Sequence, residues 1–185
     1  MTIQTIYETE RLLLKILDKS NAQIVTEYYL RNKSFLAEWE PVREPEFYTA
    51  QFREQELDKE FNNIVNGTTL KLWIVKKEDE SKVIGAFSFN NIIRGAFLSC
   101  YLGYNLDEHE INQGYMTEAL RKGIEIIFDE YKLHRIEASI LPRNVRSAAV
   151  LEKLGFVNEG LSRDYLKING KWEDHFHMVL LNDNL

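Results

Sequence analysis

Three β-rich runs, Leu70 to Val75, Val83 to Phe89 and Leu98 to Leu106, follow one another with only short connections between them. The turns, Lys76 to Lys82 and Arg94-Gly95, are too short for a crossover helix, so consecutive strands must run antiparallel. The apolar period then changes from that of a strand to that of a helix. Met116, Leu120, Ile124, Ile127 and Tyr131 recur on one helical face, with Glu118–Lys122 and Arg121–Glu125 expected as exposed pairs opposite. Strands in succession followed by a helix exclude a regular doubly wound parallel fold.

The flanking segments complete the pattern. Arg11 to Ile16 reads as a first strand, and Asp18 or Ser20 is placed to cap a short helix through Leu30. Pro41 and Pro45 break the stretch from Phe35 to Phe47. From about Thr49, Leu57, Phe61 and Val65 follow helical spacing until Gly67. Arg135 to Leu141 reads as a strand, Asn144 as a cap, and Ser147 to Leu154 as a helix stopped by Gly155. Tyr165 to Ile168 and Trp172 to Leu181 flank Asn169-Gly170, a two-residue hairpin signal. The fold class expected is mixed α/β of the α+β type: a largely antiparallel central sheet flanked by helices, with a C-terminal β-hairpin. No repeat, low-complexity tract or linker divides the 185 residues, so residues 1–185 read as one domain.

Charge and cysteine usage narrow the function classes. Lys plus Arg total 23 against 29 Asp plus Glu, a formal charge of −6, which argues against general nucleic-acid binding and suits a cationic or amine-bearing partner. The single cysteine, Cys100, cannot form an internal disulfide. No Cys/His spacing reads as a metal site, no export signal opens the chain, and no apolar run approaches the ~18 residues that span a bilayer. A cytoplasmic protein that meets neither membrane nor metal is expected.

Two segments carry chemistry. Ile111-Asn112-Gln113-Gly114-Tyr115-Met116-Thr117-Glu118 is a polar, glycine-containing turn that leaves a strand and opens the best-patterned helix. The first N–H groups of a helix have no intrahelical partners and carry partial positive charge, and Gly114 lets a phosphate approach the backbone. The glycine spacing is not that of a dinucleotide fingerprint, and the preceding strands form a meander. The second segment runs from Arg135-Ile136-Glu137-Ala138 through Asn144-x-x-Ser147 to Leu154-Gly155-Phe156.

In order and spacing these segments resemble the Gcn5-related N-acetyltransferases, specifically the branch of ribosomal-protein alanine N-terminal acetyltransferases. The likeness also takes in Glu10-Arg11-Leu12-Leu13-Leu14 and Leu102-Gly103-Tyr104. It departs from the family pattern at Ile111 and Met116, neither of which removes a backbone donor. The resemblance implies acetyl-CoA as co-substrate, lying in a splay between the strand ending near Leu106 and the strand through Glu137. Asn105 and Leu106 would contact it, Asn144 would bind it or an ordered water near it, and its pyrophosphate would lie on the amides of Asn112, Gln113, Gly114, Tyr115, Met116 and Thr117.

The same resemblance implies that Ser147 protonates the departing thiolate. Leu151 and Glu152 occupy the neighbourhood where many relatives of the wider superfamily carry a tyrosine acid. Acetyl transfer needs a neutral amine, so a carboxylate should accept the acceptor's proton, directly or through water. Glu137 is the candidate, with a structural ion pair as its alternative. Cys100 reads as an inert buried thiol, and His175 with His177 as structural residues lacking a third ligand. The acceptor is expected to be a protein N-terminus. A small amine such as a polyamine, amino acid or antibiotic remains open, as do a non-catalytic acyl-CoA-sensing module and a homodimeric assembly.

Overall fold

The computed structural model describes residues 4–185. In chain order these form β1 (Ile6–Glu8), β2 (Leu12–Lys15), α1 (Ala22–Arg31), α2 (Lys33–Leu36), α3 (Ala50–Val65), β3 (Leu70–Lys76), β4 (Asp79–Ile93), β5 (Ser99–Leu106), α4 (Tyr115–Asp129), β6 (Arg135–Ile140), α5 (Val145–Lys153), β7 (Val157–Ile168) and β8 (Lys171–Leu181). The strands make one 8-stranded sheet in the order β1-β2-β3-β4-β5-β6-β8-β7. Only β5 and β6 pair in parallel; every other neighbouring pair is antiparallel. The expected mixed, largely antiparallel architecture is the observed one.

Consecutive apolar residues are buried because helices cover both faces of the sheet and side chains alternate between them. Leu12, Leu14, Leu72, Ile74, Phe87 and Phe89 join one core with Ala119, Leu120 and Ile127 of α4. Leu13, Trp73 and Val75 join the other with Val25 and Tyr28 of α1 and Leu57 of α3. Gly123 lets α4 sit close to the sheet, since a Cβ there would lie 2.5 Å from the Phe87 ring. Caps fix the helix starts. Thr49 accepts from the Phe52 N–H (3.3 Å) at α3 and Asn144 from Ser147 (3.1 Å) at α5, whereas Asp18 accepts from Ser20 (2.8 Å) in a 3-10 turn, Lys19–Asn21, that precedes α1.

Several boundaries differ from expectation. β4 begins at Asp79, inside the segment read as a turn, because Glu78 and Lys77 alone suffice to reverse the chain. α5 begins at Val145, directly after its cap, rather than at Ser147. β7 begins at Val157 rather than Tyr165, and β1 and the short α2 had no patterned signal.

The feature that positions the site is the short pairing of β5 with β6, confined to Ser99–Arg135, Cys100–Ile136 and Tyr101–Glu137. Beyond it β5 continues on β4 as far as Leu106–Gly85, while β6 continues on β8 as far as Ile140–Phe176. Two parallel strands that part in mid-sheet leave unpaired backbone on their facing edges, and a groove between them.

Candidate active site

A cleft of about 400 Å³ opens where the strands part. Asn105 and Leu106 line it from the end of β5, and Asn112, Gly114, Tyr115, Met116 and Thr117 from the turn into α4. Asn144 and Ser147 line it from the start of α5. Residues far apart in sequence are thus brought to one cavity. Gln113 is not on its wall: its amide donates to the His109 carbonyl (3.1 Å) and to Glu110 (3.3 Å), and its own carbonyl accepts from Arg11 Nη1 (3.0 Å).

The turn into α4 is built as a backbone cradle. Asn112 and Gly114 take φ values of 61° and 81°, and a Cβ on Gly114 would come within 3.4 Å of the Arg11 guanidinium. Among the described residues the N–H groups of Gly114, Tyr115, Met116 and Thr117 have no hydrogen-bond partner, whereas Glu118 N–H already bonds to the Gly114 carbonyl. Four donors at the start of a 15-residue helix are an anion site in geometry and field.

Charged groups hold this cradle. Glu118 does not pair with Lys122, which bonds to Glu125 (3.0 Å) instead. It accepts from Thr9 Oγ1 (2.6 Å), the Arg11 N–H (2.8 Å) and Arg11 Nε (2.7 Å), so the expected exposed helix pair is replaced by a clamp between α4 and the β1–β2 turn. Burial alone would raise the Glu118 carboxyl, but these donors outweigh it and hold it below the usual range. Asp107, fully buried after β5, behaves alike: burial is outweighed by the His109 N–H (3.0 Å) and Arg31 Nε (2.6 Å). Glu110 meets Lys76 (3.3 Å) and Lys82 (3.5 Å).

On the opposite wall, Ser147 Oγ lies 2.6 Å from the Tyr104 hydroxyl, which also reaches the Ser147 carbonyl at 3.1 Å. Burial pushes the Tyr104 phenol up to about 12, against the lowering effect of Ser147, so it is a neutral donor near pH 7. The side-chain oxygen of Asn144 is committed to capping the Ser147 N–H. Asn105 is committed at both ends of its amide: Tyr28 donates to Oδ1 (2.9 Å) and Nδ2 donates to Glu40 (3.0 Å).

Glu137 is elsewhere. It sits in the paired part of β6, buried, bonded to Arg135 Nε and His177 Nε2 at 2.8 Å each, and is absent from the cleft wall. Arg135 in turn meets Glu159 at 2.5 Å. Of the two readings of Glu137, its geometry is that of the structural ion pair. Cys100 is buried beside it, and burial with the Glu137 charge pushes the thiol up to about 12, which leaves it un-ionised near neutral pH. His175 is buried with Nδ1 at the Glu173 carbonyl (2.9 Å).

Sequence reasoning missed Tyr104, Phe35, Trp39, Arg146 and Lys153, all on the cleft wall. Arg146, Ala149, Val150 and Lys153 stand at i, i+3, i+4 and i+7, so the face of α5 that places two cations there was readable from spacing. Tyr104 and Trp39 had no such signal, because only tertiary folding brings them to α5 and the strand end.

Comparisons with known proteins agree with this geometry. The acetyltransferase (GNAT) domain family matches residues 11–157. The chain is similar to the [ribosomal protein uS5]-alanine N-acetyltransferase of Escherichia coli, 36% identical over 169 residues that cover 90% of this chain and 86% of that protein. Among solved structures it is similar to the ribosomal-protein-S5-alanine acetyltransferase of Vibrio fischeri, with a TM-score of 0.93, 36% identity and 98% of each chain covered. RimJ of Mycobacterium smegmatis in complex with CoA-disulfide gives a TM-score of 0.90 at 25% identity, covering 98% of this chain and 89% of that one.

Proposed function

This chain belongs to the GNAT acetyltransferase family and is an acetyl-CoA-dependent N-acetyltransferase, and from that premise we propose that it acetylates the N-terminal α-amine of a protein by direct transfer within one ternary complex. The observation that carries the reading is the cleft between the parted strands, with free backbone donors at one end and the Ser147–Tyr104 hydroxyl pair at the other. The donor set fits acetyl-CoA. Unpartnered N–H groups of Gly114 to Thr117 suit the pyrophosphate, Arg146 and Lys153 add positive charge, and Leu106, Val145 and Val150 suit the apolar parts of the pantetheine arm. When bound, acetyl-CoA supplies the activated acyl carbon.

The chain's residues then divide the work. The turn Asn112 to Thr117 grips and orients, chiefly through backbone groups, and Asn144 fixes the first turn of α5 so that Ser147 faces the cleft. The Tyr104 hydroxyl and Ser147 Oγ lie 2.6 Å apart and either can donate; with Tyr104 as the donor, the serine O–H is free to protonate the departing sulfur. Glu137 ties β6 to its other neighbour, β8, through Arg135 and His177. The acceptor assignment rests on the similarity to proteins named for ribosomal-protein alanine acetylation. The reading includes a cytoplasmic location and a homodimer formed through the edge strand β7, which exposes Val157, Leu161 and Leu166.

Thiol release from acetyl-CoA, measured with alanine-initiated peptides and with small amines, tests the acceptor. Turnover with the peptides and none with their N-acetylated forms is the expected result. Turnover with polyamines or amino acids alone would overturn the protein-acceptor reading, and CoA binding without turnover on any amine would point to a sensing module.

A further inference from the structure

Tyr104 and Asn105 are neighbours on the parted end of β5, so their side chains point to opposite faces of the sheet. Tyr104 meets Ser147 of α5 on one face, and Asn105 meets Tyr28 of α1 and Glu40 on the other. A thioester held between the strands would thus have a hydroxyl pair on the side of α5 and a carboxylate on the side of α1. Glu40 lines a second cavity of about 160 Å³, and it is joined to the large cleft through its neighbour Trp39 and its partner Asn105, both on the cleft wall.

The Glu40 carboxylate is held in place and keeps lone pairs free. Oε1 accepts from Asn105 Nδ2 (3.0 Å) and Oε2 from Arg43 Nη2 (3.1 Å), leaving a lone pair on each oxygen for a further donor. Its backbone is pinned as well: the Asn169 N–H at the tip of the β7–β8 hairpin donates to the Glu40 carbonyl (3.2 Å), and Arg143 Nη2 to the Glu38 carbonyl (3.3 Å). Tying one loop carboxylate to a strand, a hairpin and the α5 approach is more than solubility requires. The other charged or titratable groups facing it are Tyr28 behind Asn105 and, across the small cavity, Tyr29, Tyr48 and Lys33. Lys33 and Arg43 are themselves drawn onto the rings of Tyr48 (4.4 Å) and Phe47 (4.6 Å).

We propose that Glu40 is the carboxylate that receives the ammonium group of the acceptor amine, an assignment that rests on the N-acetyltransferase reading above and supplies the proton acceptor that Glu137 is not placed to be. The carboxylate takes one proton from the ammonium and becomes a carboxylic acid. The neutral amine nitrogen then bonds to the thioester carbonyl carbon, the carbon–sulfur bond breaks, and the second nitrogen proton ends on the departing sulfur by way of Ser147. Glu40 returns its proton to solvent, so the net products are the amide, the thiol and one proton.

Glu40→Gln keeps the size and the Asn105 contact and removes only the charge. Its kcat/KM for an amine acceptor should fall ~10²-fold or more near pH 7, with unchanged affinity for CoA. The deficit should shrink as pH passes the acceptor amine's own pKa, about 8 for an α-amine; a purely structural role predicts no such convergence. A Glu40→Asp variant, which keeps the charge, should retain the wild-type pH dependence at reduced rate and serves if the glutamine variant folds poorly. A folded Glu40→Gln enzyme with the wild-type kcat/KM and pH profile overturns the proposal. Should only polyamines be turned over, the protein-acceptor reading fails and the same comparison on the polyamine decides Glu40. Should no amine be turned over, calorimetry of an alanine-initiated peptide on the CoA-loaded protein decides it: weaker binding to Glu40→Gln than to wild type supports the role, and equal binding refutes it.

Discussion

The same pair of strands has two ends of opposite character. Where β5 and β6 pair, from Ser99–Arg135 to Tyr101–Glu137, the strands are hydrogen-bonded to each other and the charged side chains satisfy one another: Glu137 has Arg135 and His177 at 2.8 Å. Where the strands part, side chains are held with capacity to spare, as at Ser147, Glu40 and the free amides of the α4 turn. A closed network stabilises and does no chemistry, while one with an unused donor or acceptor aimed into a cleft can. The carboxylates separate on this criterion although both lie on or beside the same sheet face.

The largest expected effect tests the open end. Ser147→Ala should lower kcat by ~10² to 10⁴ with CoA affinity and melting temperature nearly unchanged; a parallel loss of CoA binding would make Ser147 a structural residue of α5 instead. At the closed end the effect should move from rate to stability. Glu137→Ala leaves Arg135 and His177 without their shared partner and should cost about 3 to 5 kcal/mol in chemical denaturation. The shape-preserving Glu137→Gln should keep the wild-type pH–rate profile per folded molecule. A collapse of its rate at neutral pH, rescued as pH rises, would erase the contrast by making Glu137 the base after all.

Smaller effects sharpen the cradle. Gly114→Val forces a β-branched residue to φ 81° and crowds Arg11, a strain of ~1–2 kcal/mol that should weaken CoA binding about tenfold by calorimetry. Gln113→Ala, off the cleft wall, should change it by less than about twofold. The pH dependence of folding should be smaller still. Asp107 and Glu118 both have folded-state pKa values below their unfolded ones. Their contribution is therefore complete above the unfolded values, about 4, and is lost as pH falls through the folded ones. Asp107→Asn should lower stability at pH 7 and flatten the acid limb of a melting curve series, and an unchanged limb would dismiss the Arg31–Asp107 clamp as a stabilising contact.

The pattern of apolar residues determined much of this protein without help from tertiary structure. Leu70 to Val75 and Val83 to Phe89 read as strands because they are short β-rich runs bounded by turn residues, and the Met116 to Ile127 stripe reads as a helix because its apolar spacing is helical. The Asn112 to Thr117 turn was likewise legible, since a glycine before a helix start is local chemistry. The first half of β7 was not, because its side chains are almost all exposed and a bulge at Gly160 breaks any alternation; its partner β8 decides it. Nor could the sequence choose between the two readings of Glu137. Strand parity gives a side, but whether that side holds His177 and Arg135 or open space depends on how far β6 stays paired with β5. Tyr104 and Glu40 were hidden for the same reason. Tyr104 is 43 positions from Ser147 and Glu40 is 65 from Asn105, and only the sheet as a whole, which carries Tyr104 and Asn105 side by side on the parted end of β5, brings those separations to one place.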